Sequence, residues 1–77
     1  MTVRVLLENR LAEAVSISVI VPVKDEAGNA APLAREIAAA LKNEGPFEIV
    51  FVDDGSSDGT ADELLALRPE LPVRILR

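Results

Sequence analysis

Two acidic loop segments hold most of the side chains in this 77-residue chain that are able to do chemistry. One reads Pro22-Val23-Lys24-Asp25-Glu26 and the other Asp53-Asp54-Gly55-Ser56-Ser57-Asp58-Gly59-Thr60. An ionised carboxylate only accepts hydrogen bonds, so these loops suit a ligand rich in N–H and O–H donors, such as a nucleobase ring or a ribose. Net charge is −5 with no basic run, so a phosphate would need a metal or a helix N-terminus to hold it. The absence of Cys, His and Trp removes disulfide scaffolds, His- or Cys-ligated metal centres and Ser-His-Asp hydrolysis.

Plainer readings compete at most of these positions. Asp53-Asp54-Gly55 also fits a strand end running into a turn, where Asp and Gly are favoured on conformational grounds. Asp54, Ser56, Asp58 and Gly59 imitate the first half of a calcium loop, but the twelfth position is Leu65, where a bidentate Glu is required. Asp25 and Glu26 also suit the start of a following helix through its dipole. Asp58 reads as a turn residue and Lys24 as a solvated lysine, while Arg74 and Arg77 suggest solubility alone. Thr60-Ala61-Asp62-Glu63 has the spacing of a capping box, in which Thr60 and Glu63 satisfy the free donors of their own helix.

The elements that must position these loops follow from apolar spacing. Residues 16–23 are β-branched nearly throughout, with Ile17, Val19, Val21 and Val23 on one face and Ile20 on the other. Residues 47–53 repeat this, with Ile49 and Phe51 on one face and Val50 and Val52 on the other. Strands apolar on both faces belong to a covered parallel sheet. Val73 to Leu76 is a third, shorter strand. Between the first two, residues 29–43 place Leu33, Ile37 and Leu41 beside Ala30, Ala34 and Ala38 in one helical stripe, with Pro32 in the first turn and Gly45-Pro46 ending it. A second helix starts at Thr60 and stops before Pro69. Residues 1–15 form an N-terminal extension, strand or helix, with a covering or swapping role: Thr2 to Leu6 fits a strand and Leu6 to Ala14 fits a helix, and the pattern does not choose between them.

The expected fold is therefore α/β: a β-α-β-α-β unit with right-handed crossovers over residues 16–77 and a three-stranded parallel sheet. In sequential strand order both helices fall on one face. The other face is then bare although it carries apolar residues, and the outer edge of the first strand is unpaired. A core this small only about balances the entropy of ordering the chain, so a partner is expected, most simply a second copy in a homodimer. Both acidic loops leave from the carboxyl ends of neighbouring strands, where open α/β folds bind ligands.

The run Val19-Ile20-Val21-Pro22, then Asp25-Glu26, then Phe51 to Thr60 resembles the amino-terminal portion of family 2 inverting glycosyltransferases with the GT-A fold. Within that family it is most similar to dolichol-phosphate mannosyltransferase-like enzymes, which move a sugar from a nucleotide onto a polyisoprenyl phosphate. The resemblance covers residues 16–77 and implies the nucleotide-binding half of such an enzyme, a partial GT-A, Rossmann-like unit. It implies Pro22, Val23, Glu26, Asp53 and Asp54 as nucleotide-binding residues, with Asp54 accepting from the base and Asp53 supporting it. Lys24, Asp25, Gly55 and Ser56 are further candidates. The family usually has Asn where this chain has Asp25, and the aromatic residue common just before it is absent. The resemblance further implies Mg2+ or Mn2+ in the parent enzyme, held by a later Asp-x-Asp motif that is not among these residues. No catalytic or metal-ligating residue is assigned here, so the isolated chain is expected to be inactive and to bind a nucleotide diphosphate sugar weakly.

Rival readings are a non-catalytic self-associating α/β module and a receiver-type signalling domain. In the latter an Asp pair follows the first strand, whereas here it follows the second. With 3% aromatic residues and no basic run, no nucleic-acid partner is expected. No apolar stretch is long enough for a membrane span, and residues 1–10 lack a secretory pattern, so a cytoplasmic location is expected, with the parent possible at the cytoplasmic membrane surface.

Overall fold

The computed structural model describes residues 4–7 and 17–77. Its strands are β1 (Arg4–Leu7), β2 (Ile17–Val23), β3 (Phe47–Asp53) and β4 (Val73–Leu76). Helix α1 (Ala30–Leu41) joins β2 to β3, and α2 (Thr60–Leu65) joins β3 to β4. One sheet holds all four strands in the order β1-β2-β3-β4. β2, β3 and β4 are parallel, with Val23 level with Asp53 and Val52 level with Leu76. Three parallel strands and two helices agree with the partial GT-A, Rossmann-like unit expected from the sequence.

Alternation along the strands decides what the helices cover. Val19, Val21, Val23, Ile49, Phe51 and Val73 are buried beneath Ala30, Ala34, Ala38, Leu64 and Leu67 in one core. The stripe on α1 splits by size. Its alanines are the residues pressed into the core, since a small side chain lets helix and sheet approach closely, while Leu33, Ile37 and Leu41 are half-buried around it. Both helices thus lie on one face of the sheet. On the other face Ile20 and Val52 are half-buried and Leu76 is 47% exposed. Val50 departs from the expected bareness: it is 5% exposed, shielded in the central strand between Ile20 and Arg74. Glu48 on this face accepts hydrogen bonds from Ser18 Oγ and Arg74 Nη1, each 3.0 Å, so Arg74 does more than confer solubility.

Other expectations are also corrected. The outer edge of β2 is not free, because β1 pairs with it antiparallel, Val5 opposite Val19 and Leu7 opposite Ile17. A row of unpaired backbone groups is an attachment site, and the preceding segment of the chain takes it. The strand reading of Thr2 to Leu6 therefore holds at residues 4–6 and the strand runs on to Leu7; the helix reading of Leu6 to Ala14 is overturned at Leu6 and Leu7, and its remainder lies outside the described residues. α1 stops two residues early, where Glu44 N donates to Leu41 O at 2.9 Å and Gly45 turns the chain with φ 101°. α2 is short, and the chain continues from it in tighter turns as Leu67 N bonds Leu64 O and Arg68 N bonds Leu65 O. Among the described residues, no helix is long and apolar enough to cross a membrane.

Candidate functional site

The parallel pairing of β2 with β3 brings both acidic loops to one edge of the sheet. Asp54 N donates to Val23 O at 2.9 Å, so the second loop begins by continuing the ladder onto the last residue of β2. From there the loops are laced by side chains. Asp25 N donates to Ser56 Oγ at 2.9 Å and Ser57 N returns a bond to Asp25 Oδ1 at 2.8 Å. Glu26 N donates to Thr60 Oγ1 at 2.8 Å, and Ala27 N to Asp58 Oδ2 at 3.2 Å. Gly28 N and Ala31 N each donate to a different oxygen of Glu63, both at 2.6 Å.

This lacing revises the capping reading of Thr60 and Glu63. Glu63 caps α1 rather than its own helix. The first turn of α1 contains no acidic residue, and Asn29 makes no side-chain cap bond, so its orphan amides take their acceptor from the facing helix. α2 starts after Gly59, which has no side chain to cap with, and Asp58 Oδ1 accepts from Thr60 N at 2.9 Å and from the Thr60 hydroxyl. The fully buried Thr60 hydroxyl is thereby a relay between Glu26 and Asp58. The start of α1 offers no open donor to a phosphate: Ala31 N is held by a Glu63 carboxylate oxygen and Ala30 N by the Glu26 backbone carbonyl, Pro32 has no N–H, and the carboxylate repels an anion.

Backbone conformation explains the residue types at the turns. Asp25 has φ 51°, a left-handed conformation that Asn and Asp tolerate best among residues with a side chain. Asp25 meets this demand, and its carboxylate adds the bond to Ser57. Gly55 has φ 78° with open space where a Cβ would sit, so glycine is required there by conformation and not by crowding.

The carboxylates of this edge divide by what they hold. Asp53 has a side chain 1% exposed; its Oδ1 accepts from Ser56 N at 2.9 Å and its Oδ2 from Arg77 Nε and Nη2 at 3.3 and 3.2 Å. Hydrogen bonds from Ser56, and after them Arg77, hold the Asp53 carboxyl below its ordinary value of 3.8 against the opposing effect of burial. The bonds from Thr60 do the same for Asp58. Asp25, Asp53, Asp58 and Glu63 are therefore occupied within the molecule. Glu26 is half-buried, and among the described residues its carboxylate meets only Asn29 Nδ2, at a long 3.5 Å. Asp54 is exposed, and its carboxylate has no bonded partner among the described residues, nor has the exposed Lys24 ammonium. Pro22 is exposed at the end of β2, while Val23 points into the core.

Sequence reasoning missed the reach of Glu63 to α1 and the pairing of Arg77 with Asp53. The alternation Val73, Ile75, Arg77 against Ile49, Phe51, Asp53 held a signal for the second, since it puts both charges on one face of adjacent strands. Among the described residues no group of three or more acidic side chains is arranged to hold a metal ion.

Residues 18–77 match the protein family described as Glycosyl transferase family 2. Similar curated proteins include two undecaprenyl-phosphate 4-deoxy-4-formamido-L-arabinose transferases. The one from Serratia proteamaculans is 45% identical over 51 residues, which are 65% of this chain and 16% of that protein. The one from Pseudomonas paraeruginosa is 45% identical over 51 residues, 65% of this chain and 15% of that protein. The chain thus spans about one sixth of the length of the curated relatives it matches. No solved structure matches the chain.

Proposed function

The chain belongs to glycosyl transferase family 2, and from that premise we propose that its two loops form the nucleotide-recognising half of a donor site. The reaction is transfer of a sugar from a nucleotide diphosphate sugar to a polyisoprenyl phosphate. One observation carries the reading: while the neighbouring carboxylates are taken up by backbone and side-chain donors, among the described residues Asp54 has none and Glu26 has only a long contact. Two ionised acceptors at the end of adjacent parallel strands match the N–H donors of a base and the hydroxyls of a ribose. Asp54 accepts from the base, Glu26 from the nucleoside, and Pro22 lines the pocket between them. Asp25, Asp53 and Ser56 then act by shaping the loops. The names of the relatives, which refer to undecaprenyl phosphate, support the acceptor class.

The closed N-terminus of α1 gives the reading its chemical direction. This edge recognises the nucleoside and leaves the diphosphate to residues elsewhere. No step of the transfer is assigned to a metal or a general base on the described residues, so this chain's part is to bind and orient the donor. Calorimetric titration of the chain with uridine and guanosine diphosphates, and separately with inorganic diphosphate, tests this. Weak saturable binding of a nucleotide that inorganic diphosphate does not displace is expected. Binding of inorganic diphosphate with equal strength, or no nucleotide binding at millimolar concentration, would contradict it.

A second copy of the chain remains the proposed partner. Because β1 occupies the edge of β2, the contact falls on the open sheet face, where Ile20, Val52 and the 47% exposed Leu76 lie together. Sedimentation at micromolar concentration is expected to give a dimer, and a compact monomer would contradict this.

A further inference from the structure

Asp53 is the acid at this edge whose burial is most complete, with its side chain 1% exposed, and Arg77 supplies its countercharge from the end of the neighbouring strand. The register brings the two residues together. Val52 is level with Leu76, so the next residue on each strand, Asp53 and Arg77, meet on the helix-covered face. Arg77 is itself 64% exposed, so the cost of its loss falls on the Asp53 carboxylate, which would be left buried with Ser56 N on Oδ1 and no countercharge on Oδ2. Both Arg77 contacts, from Nε and Nη2, converge on Oδ2. That leaves Oδ1 to accept from Ser56 N and close the turn that contains Asp54 and Gly55. Ser56 Oγ in turn accepts from Asp25 N in the first loop. A continuous line of bonds thus runs from Arg77 through Asp53 and Ser56 to Asp25, touching both loops without using Asp54 or Glu26.

We propose that Arg77 is a positioning residue of the nucleotide site, acting through Asp53 to fix the turn that presents Asp54. This rests on the reading of Asp54 as the acceptor for the base. Arg77 itself needs no contact with the nucleotide. Lysine is an incomplete substitute, because a compact ammonium cannot place two N–H groups on one oxygen in the manner of a guanidinium fork.

The test uses the chain in four forms besides the unaltered one: Arg77→Met, Arg77→Lys, Asp53→Asn and the double variant Arg77→Met/Asp53→Asn. Asparagine retains the oxygen that accepts from Ser56 and needs no countercharge. Arg77→Met is expected to weaken nucleoside diphosphate binding about tenfold, in the range typical of coupled groups in contact, with Arg77→Lys in between. In the double variant most of that loss should be recovered. In the nucleotide-free protein, the amide resonances of Asp54, Gly55 and Ser56 should move in Arg77→Met and return toward their original positions in the double variant. An equal loss of affinity in the single and double variants would overturn the proposal and make Arg77 a direct ligand contact. Unmoved amides in Arg77→Met would overturn it too. Those amides are read without nucleotide, so they decide the positioning role even if the unaltered chain binds none, a result that would instead defeat the donor-site reading itself.

Discussion

The seam between the two loops and the outer turn at Asp54 contain the same functional group in opposite circumstances. In the seam, Asp25, Asp58 and Glu63 accept from backbone amides of the facing segment, and Asp53 accepts from Ser56 and Arg77. At the outer turn Asp54 is exposed and unpartnered among the described residues, and Glu26 is nearly so. Carboxylates that satisfy orphan donors stabilise the fold, and their removal strands those donors. A carboxylate with no intramolecular donor contributes little to stability, and its capacity to accept is left for a ligand. The loop edge therefore separates into a part that holds and a part that recognises, and substitutions should sort the same way.

The largest effect expected on stability is in the seam. Glu63→Ala abandons the amides of Gly28 and Ala31 at the start of α1 and should lower unfolding free energy by about 2 kcal/mol, measured by urea denaturation. Next comes Asp54→Asn, expected to weaken nucleoside diphosphate binding about tenfold or more, the worth of one hydrogen bond to a charged group, with stability held within about 0.5 kcal/mol. Equal behaviour of these two variants would erase the distinction between the regions.

Acid should distinguish them again. The folded-state carboxyls of Asp53 and Asp58 lie below the ordinary value of 3.8, so their stabilising contribution is complete above that value and is lost as pH falls through the folded values beneath it. Thermal denaturation followed downward from pH 5 should show this loss in the unaltered chain and in Asp54→Asn, and a shallower one in Asp58→Asn. The smallest effect is expected on the opposite face of the sheet: Leu76→Glu should shift a dimer toward monomer in sedimentation while leaving nucleotide affinity within about twofold, because successive strand residues alternate and the Leu76 side chain faces away from Arg77 and Asp53.

The parallel strands, α1 and the sharing of one face by both helices were legible in the sequence, because each follows from a short local period combined with the handedness of crossovers. The convergence of the two loops at one edge was legible for the same reason, since both follow strands of one direction. Glu63 was misread because its spacing from Thr60 satisfies a local capping rule, and only the packing of α2 against α1 makes the neighbouring helix the better customer for its oxygens. The place of β1 was hidden because four residues such as Arg4–Leu7 carry no signal for which edge they will meet. Asp25 shows a middle case. Its acidic character pointed toward ligand chemistry, whereas its left-handed backbone and its bond to Ser57 make it part of the turn.

The claim that recognition belongs to the outer turn and not to the seam is tested most directly by following backbone amide resonances of the chain during titration with uridine and guanosine diphosphates. The account predicts that the largest shifts fall on Val23, Lys24, Glu26, Asp54 and Gly55, while Gly28 and Ala31, already bonded to Glu63, move little. Largest shifts at Gly28 and Ala31 would mean that phosphate displaces Glu63 from the start of α1, and would contradict it.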